Sequence, residues 1–477
     1  MKQKIVLAGA TGFIGRWIIE KFQDDFDIIA LSRKKVKSNP NTNIEWRTVD
    51  MYSMSSTEKA LEGADIAVYL VHSMQPSARL NQGTFEDTDL LLADNFSRAA
   101  EKNKLKQIIY LGGILPKDKH QISNHLLSRF EVEKTLGSRA TPLTAIRAGI
   151  IIGPGGSSFK IVTNLVKNLP VMGCPKWTKS KNQPIDVFDV LSLLQQCMGN
   201  SATYNKNIEI GGKEVMTYMD LLQMTSKTMD KRRWIFSMPF FTVGLSKWWV
   251  SIFGGANINF VSPLVESLKH QMTPSNQYSD LYKIEYTPIK TSIARALNHQ
   301  PPPLPSFHQM RAEKNTVRSV QRIYNPKKHN AQWVAKYYPI WLSKRFAGLI
   351  NPKFDGSFLR FYLLGIMLLE LKLIEDRSTP NRQLFYITGG VLTKRKDLGW
   401  LEFRSILKNE YVIAAIHEYV PKLPWTIYRF TQAKLHLYVM KKFEREAVEI
   451  HDTEKQTLLR KRKEGHMSRQ SKNRGFK

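Results

Sequence analysis

The feature that most constrains the fold is a glycine-rich turn at residues 9–15, Gly-Ala-Thr-Gly-Phe-Ile-Gly. A short apolar run, residues 4–8, stands directly before it, and apolar residues at helical spacing follow it as far as Phe22. The apolar run is typical of a buried parallel strand. A tight turn that joins such a strand to a helix predicts the first unit of a parallel sheet covered by helices.

The glycines of this turn have separate predicted roles. Gly9 allows the tight turn, Gly12 lets backbone amides approach a pyrophosphate, and Gly15 lets the helix pack on the sheet. The helix N-terminus would face the anion with unpaired N–H groups and the positive end of its dipole. The turn therefore predicts a dinucleotide site, with a ligand-free turn as the alternative. The predicted contacts are Gly9, Ala10, Thr11, Gly12, Phe13, Ile14 and Gly15.

The end of the second predicted strand bears on the choice of cofactor. This strand, residues 27–31, is followed by Ser32-Arg33-Lys34-Lys35. In this kind of site an acid accepts a hydrogen bond from the 2′-hydroxyl of NAD, whereas an arginine accommodates the 2′-phosphate of NADP. Ser32 and Arg33 therefore predict a site that prefers NADP(H) to NAD(H), and a solvated basic turn is the alternative.

Further strand–helix repeats extend the predicted sheet. After a first polar residue, Asp65 and Gln107, the segments 65–71 and 107–111 are apolar and suit buried strands. Residues 88–103 between them are amphipathic. The alternation predicts an α/β fold, a doubly wound Rossmann sheet whose ligand lies at the carboxyl ends of the parallel strands. Asp50 and His72, which follow predicted strands, are therefore expected near the cofactor.

The order of several motifs resembles the extended and atypical short-chain dehydrogenase/reductases, including NmrA-like proteins, over roughly the first 300 residues. These motifs are the glycine turn, Val49-Asp50, residues 147–155, residues 184–190, and residues 208–212 with 216–218. The resemblance implies that Asp50 and Met51 bracket the adenine. It also implies contacts to the adenine ribose from Leu70, Val71, His72 and Ser73.

One departure from that family concerns its chemistry. Members that transfer hydride carry Tyr-x-x-x-Lys on a helix and a Ser or Thr after the fifth strand; the tyrosine moves the proton and the lysine lowers the tyrosine pKa. Here His125 and Arg129 occupy the two helix positions, and Gly112-Gly113 follow the strand. Three hypotheses stay open. His125 is an acid/base with Arg129 as its anchor, or Arg129 holds the cofactor and no hydride moves, or the helix is structural.

An aromatic-rich segment, residues 231–268, bears on the ligand. It falls where the extended family members build their substrate lobe, so it predicts an apolar pocket, a membrane-facing patch or ordinary core. Lys and Arg number 71 against 41 Asp and Glu, a net charge of +30 that calls for an anionic partner. The basic tail, residues 451–477, could bind nucleic acid or acidic lipid, with a solvated tail as the favoured alternative. No nucleic-acid-binding motif occurs elsewhere, and no specific nucleic acid is expected as a partner.

A proline-rich stretch, residues 301–305, predicts a stiff linker to a second domain. Alternating segments after it predict an antiparallel sheet, and a long helix is predicted from Trp425 to about Ile450. The apolar face predicted for this helix consists of Tyr428, Leu435, Val439 and Phe443.

Strands closed by one long helix resemble the START-like (SRPBCC) helix-grip fold, an α+β domain that often holds an apolar ligand. In such a cavity His417, Glu418 and His436 could be polar groups; satisfied or exposed side chains are the alternative. The predicted domains are an NAD(P)-binding domain (1–300, with a substrate lobe at about 155–300), a linker (301–315), a helix-grip domain (316–450) and a disordered basic tail (451–477).

The two cysteines, Cys174 and Cys197, have no spacing typical of a disulfide framework or a metal site. A reduced cytoplasmic location is therefore expected, with peripheral contact at the inner face of the plasma membrane as a further expectation. No metal is predicted.

The predicted function is an NAD(P)H-binding redox sensor or accessory module, or an unusual oxidoreductase, that acts with a hydrophobic ligand. One alternative is an active NADPH-dependent reductase or epimerase-like enzyme for a hydrophobic carbonyl or quinone. A second is a peripheral membrane protein that handles lipid.

Overall fold

The computed structural model describes residues 2–37, 44–72, 79–116, 122–238, 251–255, 265–275, 277–308, 316–396 and 398–446. The chain divides into two compact units. The first consists of residues 1–74 and 89–311, and the second of residues 75–88 and 312–477. Residues 75–88 lie within the predicted first domain, yet they belong to the second unit.

A seven-stranded sheet forms the centre of the first unit, in the order β12-β7-β6-β4-β1-β2-β3. Every neighbouring pair is parallel, and the chain order reverses beside β1. The predicted doubly wound parallel sheet is therefore confirmed. The strands are β1 Lys4–Ala8, β2 Asp27–Ser32, β3 Ile44–Thr48, β4 Ile66–Tyr69, β6 Gln107–Gly113, β7 Leu143–Ala148 and β12 Asn207–Ile210.

Three short strand pairs add to this unit. They are β8 Ile151–Ile152 with β11 Ile185–Asp186, β9 Val171–Cys174 with β14 Trp234–Ser237, and β10 Lys181–Asn182 with β13 Met216–Thr217. The helices are α1 Phe13–Phe22, α2 Met54–Ala60, α3 Phe85–Lys102, α4 Asn124–Leu136, α5 Ser157–Asn168, α6 Val187–Cys197, α7 Tyr218–Thr228 and α8 Ile289–Asn298. The boundary between residues 88 and 89, where the chain passes from the second unit to the first, falls within α3.

The apolar strands form the core because both faces of the parallel sheet are covered. Ile5 and Leu7 of β1 are fully buried on one face, in a cluster with Ile18 of α1 and Val190 of α6. Val6 and Ala8, which point to the opposite face, are also fully buried. Continuous apolar sequence in β1 is therefore required by burial on two sides.

The second unit contains an eight-stranded sheet in the order β16-β17-β18-β19-β20-β21-β15-β5. Its strands are β5 Leu80–Gln82, β15 Val317–Tyr324, β16 Ile350–Phe354, β17 Phe358–Leu363, β18 Ile366–Leu373, β19 Arg382–Gly389, β20 Trp400–Ile406 and β21 Tyr411–Tyr419. Neighbours are antiparallel except β15 and β5, which are parallel. The predicted all-antiparallel sheet is thus a mixed sheet.

The α-helices described after residue 316 are α9 Ala331–Arg345, α10 Trp425–Phe430 and α11, residues 432–446. A continuous helix was predicted from residue 425, and the prediction of continuity is wrong. The backbone leaves the helical region at Thr431 (φ −117°, ψ −87°), which divides the segment into α10 and α11. Tyr428, Val439 and Phe443 are buried as predicted, but Leu435 is 54% exposed. The break changes the phase between the two helices, so a single helical periodicity does not describe both.

Residues 79–87 are held in the second unit by several contacts. Gln82 donates to the backbone oxygen of Ala433 (2.8 Å), and Asp87 pairs with Arg322 (2.8 Å). Gly83 has φ +119°, and a Cβ atom there would lie 2.0 Å from the carbonyl oxygen of Val320. Position 83 therefore requires glycine for both its backbone conformation and its close approach to β15.

We expect Gly83→Ala to weaken the pairing of β5 with β15. Gly356 also has a positive φ (+98°) in this unit, but nothing lies within 4 Å of its would-be Cβ, so Gly356→Ala is the matched control. The control should cost about 1 kcal/mol from backbone strain alone, and Gly83→Ala clearly more. Hydrogen exchange of peptides covering residues 79–83 and 317–320 should accelerate only in Gly83→Ala; equal exchange in both variants would contradict this assignment.

Candidate functional site

The glycine turn joins β1 to α1 through two close approaches. A Cβ atom at Gly15 would lie 2.3 Å from the carbonyl oxygen of Gly9, so helix α1 can pack on the turn only with glycine there. Gly9 has φ +92°, and its would-be Cβ lies 3.0 Å from Leu70. The backbone N–H of Gly12 donates to the oxygen of Gly9 (2.9 Å) and closes the turn.

The N-terminus of α1 is open toward an anion. Gly12 is the N-cap and has no side chain to accept from the first-turn amides, and the first turn carries no acid. Those amides have no acceptor within the helix. Together with the positive end of the dipole, they suit a phosphate group.

The carboxyl end of β2 carries the residues predicted to select the cofactor. The buried Ser32 hydroxyl accepts a hydrogen bond from the backbone N–H of Lys34 (3.1 Å). The Lys34 ammonium lies over the ring of Phe307, 5.7 Å from its centroid. Arg33 is exposed, and within the described part of the chain its guanidinium forms no hydrogen bond or ion pair.

The loop after β3 is shaped by a residue that the sequence analysis missed. Asn95 on α3 is fully buried and donates to the backbone oxygens of Met51 (2.7 Å) and Tyr52 (3.1 Å). Asp50 accepts from the N–H of Tyr52 (3.2 Å). A polar residue on the apolar face of the amphipathic segment 88–103 was the available signal for Asn95.

The residues that follow β4 lie in two different places, beside the glycine turn and in the lining of a cavity. The N–H of Leu70 donates to the oxygen of Ala8 (2.9 Å), which keeps Leu70 beside the glycine turn. His72 instead lines a separate cavity. Ser73, also a predicted contact, lies outside the described residues.

This cavity has a volume of about 340 Å³ and lies where β6 and β7 end. Its polar lining consists of His72, His125, Arg129, Ser157, Ser158, Thr178, Tyr218 and Ser267. Its apolar lining includes Leu111, Leu126, Ala148, Ile150, Ile151, Ile161, Val162, Leu165, Trp177, Leu222, Val265, Leu268 and Met272. His72, His125 and Arg129, singled out from sequence, are therefore brought together on one predominantly apolar cavity.

A buried carboxylate orients His72. Its Nδ1 lies 2.6 Å from an oxygen of Asp89, which is 1% exposed. With Nδ1–H donated to this carboxylate, the neutral ring carries its lone pair on Nε2. Burial and Arg129 lower the pKa of His72, although Asp89 acts in the opposite direction. Asp89 was not predicted, and its position on the buried face of α3 is what the sequence could have shown.

His125 is a neutral side chain. It is 9% exposed, and its Nδ1 has no hydrogen-bond partner among the described residues. Burial, then Arg129 and His72, lower the pKa of His125 to about 3. At neutral pH the ring can form a hydrogen bond, but it holds no extra proton to give.

Arg129 follows His125 by one turn of α4, and the helix is anchored beneath it. The hydroxyl of Tyr110 donates to the backbone oxygen of Arg129 (3.2 Å). Burial, the largest influence, raises the pKa of this phenol to about 12, so it stays protonated.

Gly112 and Gly113 leave no hydroxyl on the adjoining wall. A Cβ atom would lie 2.8 Å from the ring of Tyr110 at Gly112 and 3.0 Å from Leu126 at Gly113. A serine or threonine would therefore require its neighbours to move.

Other residues of the family-like motifs have structural roles. Arg147 of β7 forms a two-pronged ion pair with Glu133 of α4, at 2.6 and 2.9 Å. Asp186 accepts from the N–H of Phe188 (2.8 Å) at the start of α6, and also pairs with Arg295 (3.0 Å). These contacts join the cavity elements to the sheet.

The second unit contains a separate cavity of about 210 Å³, lined by Ile323, Tyr324, Asn325, Pro326, Lys327, His329, Trp333, Val334, Tyr337 and Phe443. The three polar residues predicted for a ligand cavity are not in this lining. His417 lies against Glu402 (3.6 Å), Glu418 accepts from Arg318 (2.9 Å), and His436 contacts Ser319 (3.1 Å). Burial lowers the pKa of His436 to about 4.

The described residues lack two features, a cluster of metal-binding side chains and a membrane-spanning helix. They contain no group of three or more histidine, cysteine, aspartate or glutamate side chains placed to hold a metal ion. None of the described helices is both long and apolar enough to span a bilayer.

Residues 9–151 match the protein-family model described as NAD(P)H-binding. The amino-terminal part of the chain contains an NAD(P)H-binding domain. Auxiliary protein GraX of Staphylococcus aureus is 34% identical over 114 residues, which are 24% of this chain and 37% of GraX. The chain thus matches only about a third of that relative's length. UDP-glucose 4-epimerase of Vibrio cholerae is 19% identical over 261 residues, 50% of this chain and 80% of the epimerase.

Two solved structures of reductases are similar to part of this chain. Triphenylmethane reductase of Citrobacter sp., complexed with NADP(H), has 16% identity and a TM-score of 0.47, covering 61% of this chain and 99% of the reductase. NADPH-dependent quinone oxidoreductase QOR2 of Escherichia coli has 17% identity and a TM-score of 0.48, covering 62% and 100%.

We expect the His125 ring to stay neutral from about pH 8 down to about pH 5, because its pKa is depressed well below the ordinary histidine value of about 6.5. Protein labelled with ¹³C at histidine Cε1, with the signal assigned through His125→Gln, would show this by NMR. Arg129→Met should move the His125 midpoint upward, because it removes a positive charge, whereas Arg129→Lys should not. A wild-type midpoint near ~6.5 would contradict the prediction and restore His125 as a cationic acid.

Proposed function

We propose that this protein binds NADP(H) at the glycine turn and holds a hydrophobic ligand in the adjoining cavity, as a redox sensor or accessory module. The observation that carries the proposal is the composition of the cavity wall. Where a hydride-transferring relative needs an ionisable tyrosine and a hydroxyl, this chain has a neutral histidine and two glycines. The dinucleotide turn beside it has the close packing that a cofactor site needs.

The preference for NADP(H) rests on Arg33. It is exposed at the carboxyl end of β2, and no described acid pairs with it. No acid stands in Ser32-Arg33-Lys34-Lys35 to accept from the 2′-hydroxyl of NAD. A 2′-phosphate would therefore meet a cation at this position.

The preference for a hydrophobic ligand rests on the cavity. A volume of about 340 Å³ is within the range of small-molecule sites, which bury an apolar body and orient it with few polar groups. We also propose that the second unit has a START-like fold and holds an apolar ligand. The supporting observation is that antiparallel strands of the second sheet share one hydrophobic core with α9 and α11.

Calorimetric titration with NADPH, NADP⁺, NADH and NAD⁺ tests the cofactor proposal. Wild type should bind the NADP forms more tightly, and Arg33→Asp should lose about tenfold or more for these alone, since one phosphate ion pair is removed. Lys290→Asp, the same charge change at an exposed position of α8, is the control. Equal binding of NADPH and NADH by wild type would refute the NADP preference, and no binding of any nucleotide would refute the whole proposal.

The first alternative is an active reductase or epimerase-like enzyme. It predicts oxidation of NADPH, followed by absorbance, in the presence of a quinone such as menadione, with loss of the rate in His125→Ala while NADPH still binds. Under our proposal no His125-dependent oxidation occurs, because the α4 position that holds the tyrosine in hydride-transferring relatives carries a neutral histidine with no extra proton to supply.

The second alternative is a cytoplasmic protein that docks reversibly on the inner face of the plasma membrane, and one surface favours it. Val171, Trp234, Phe236 and Met238 form an exposed apolar surface on the β9–β14 pair, where Trp234 is 77% exposed. Lys231, Arg232 and Arg233 precede it in sequence, with a single acid, Asp230, beside them. Tryptophan next to basic residues suits an anionic bilayer interface. Residues 239–250 of the aromatic-rich segment lie outside the described residues.

Sedimentation with vesicles tests that surface. Wild type should pellet with phosphatidylglycerol vesicles at low salt and much less at high salt, because screening weakens the contact. Trp234→Ser/Phe236→Ser should reduce pelleting severalfold, whereas Val215→Ser, at another exposed apolar residue, should not. Equal pelleting of all three proteins would exclude this surface as the docking site.

A further inference from the structure

The cavity at the ends of β6 and β7 has an uneven distribution of charge. Among the described residues that line it, Arg129 is the one with a charged side chain. No described acid forms an ion pair with Arg129. The nearby Asp89 is engaged by His72 at 2.6 Å and is not part of the lining. The cavity therefore combines an apolar wall with one positive charge, and no carboxylate stands in the described lining beside it.

Two further groups in the lining suit a negative charge. His125 is nine-tenths buried, and its Nδ1 has no hydrogen-bond partner among the described residues. Helix α5 begins on the cavity wall at Ser157; its N-cap, Gly156, offers no side-chain acceptor, and its first turn contains no acid. The amides of that turn are donors without intrahelical acceptors.

The charge of Arg129 acts on the two histidines of the cavity lining. Arg129 lowers the pKa of both His125 and His72, second only to burial in each. Both rings are thereby kept neutral, so they do not compete with Arg129 for an anion. His72 already donates its Nδ1–H to Asp89, so His125 is the ring whose single N–H can be donated to an anion.

From this juxtaposition we propose that the cavity selects an amphipathic organic anion: an apolar or aromatic body against Ile161, Val162 and Leu165, with a carboxylate, sulfonate or phenolate paired to Arg129. The inference deepens the proposed function and rests on its hydrophobic-ligand part. It names the ligand class, and it gives Arg129 a role toward that ligand and not toward the cofactor. The cofactor's own phosphates are the competing source of negative charge, so the test separates the two.

Two fluorescent probes with the same rings isolate the charge. They are 1-anilinonaphthalene-8-sulfonate and N-phenyl-1-naphthylamine, which lacks the sulfonate. Wild type should bind the sulfonate about tenfold more tightly than the neutral amine, as expected for one charge-assisted pair in an apolar site. Arg129→Met should abolish that preference while the amine still binds, and Arg129→Lys should keep part of it. Leu165→Trp, which fills the cavity, should weaken the binding of both probes. A probe whose affinity does not change in this variant binds elsewhere on the chain.

Saturating NADP⁺ supplies the second arm. Under the proposal the preference for the sulfonate persists when NADP⁺ is bound. If NADP⁺ removes the preference and Arg129→Met weakens NADP⁺ itself, Arg129 belongs to the cofactor and the inference fails, while NADP(H) binding stands. Equal affinity of wild type for the two probes, or a preference unchanged in Arg129→Met, also overturns it. If wild type does not bind NADP⁺ but still prefers the sulfonate probe, the cofactor proposal alone is refuted.

Discussion

The packing of helix α1 against the turn after β1 is the contact on which the rest of the first unit depends. Gly15 meets the carbonyl oxygen of Gly9 at a distance that admits no side chain, and Gly9 itself lies against Leu70. These two approaches bring the amides of α1 to the carboxyl ends of β1 and β4. Because parallel strands all point the same way, the loops that follow β2, β3, β6 and β7 reach the same edge of the sheet.

The edge created in this way has two chemically different regions. At the glycine turn the backbone supplies the donors, so side-chain identity matters little except at the glycines. At the cavity the side chains decide, and one cation, Arg129, lowers the pKa of both histidines in the lining. It helps to keep His125 neutral, and it opposes the effect of Asp89 on His72. A histidine in the place of a tyrosine thus has properties set by its surroundings and not by its ordinary pKa.

Much of the sheet and part of the site could be predicted because their signals are local. The strand before Gly9, the helix after Gly15 and the placement of His125 and Arg129 one turn apart depend on neighbours in sequence. Asp89 and Asn95 escaped prediction, since a polar residue on the buried face of α3 shows no partner until the loops after β3 and β4 are in place. The break at Thr431 was also missed. Apolar residues on both sides of it continue the helical spacing closely enough to suggest one helix.

The sequence by itself determined the doubly wound sheet and the dinucleotide turn, because glycine spacing and apolar runs act through backbone sterics and burial within a few residues. Tertiary structure alone decided which polar groups share the cavity, and which strand completes the second sheet. Residues 80–82 pair with β15 more than 230 positions later. His72 meets Asp89 and His125 only when the loop after β4 packs against helices α3 and α4. Such contacts depend on the packing of distant segments, and the pKa of each group then follows from burial and nearby charge, neither of which is written in the local sequence.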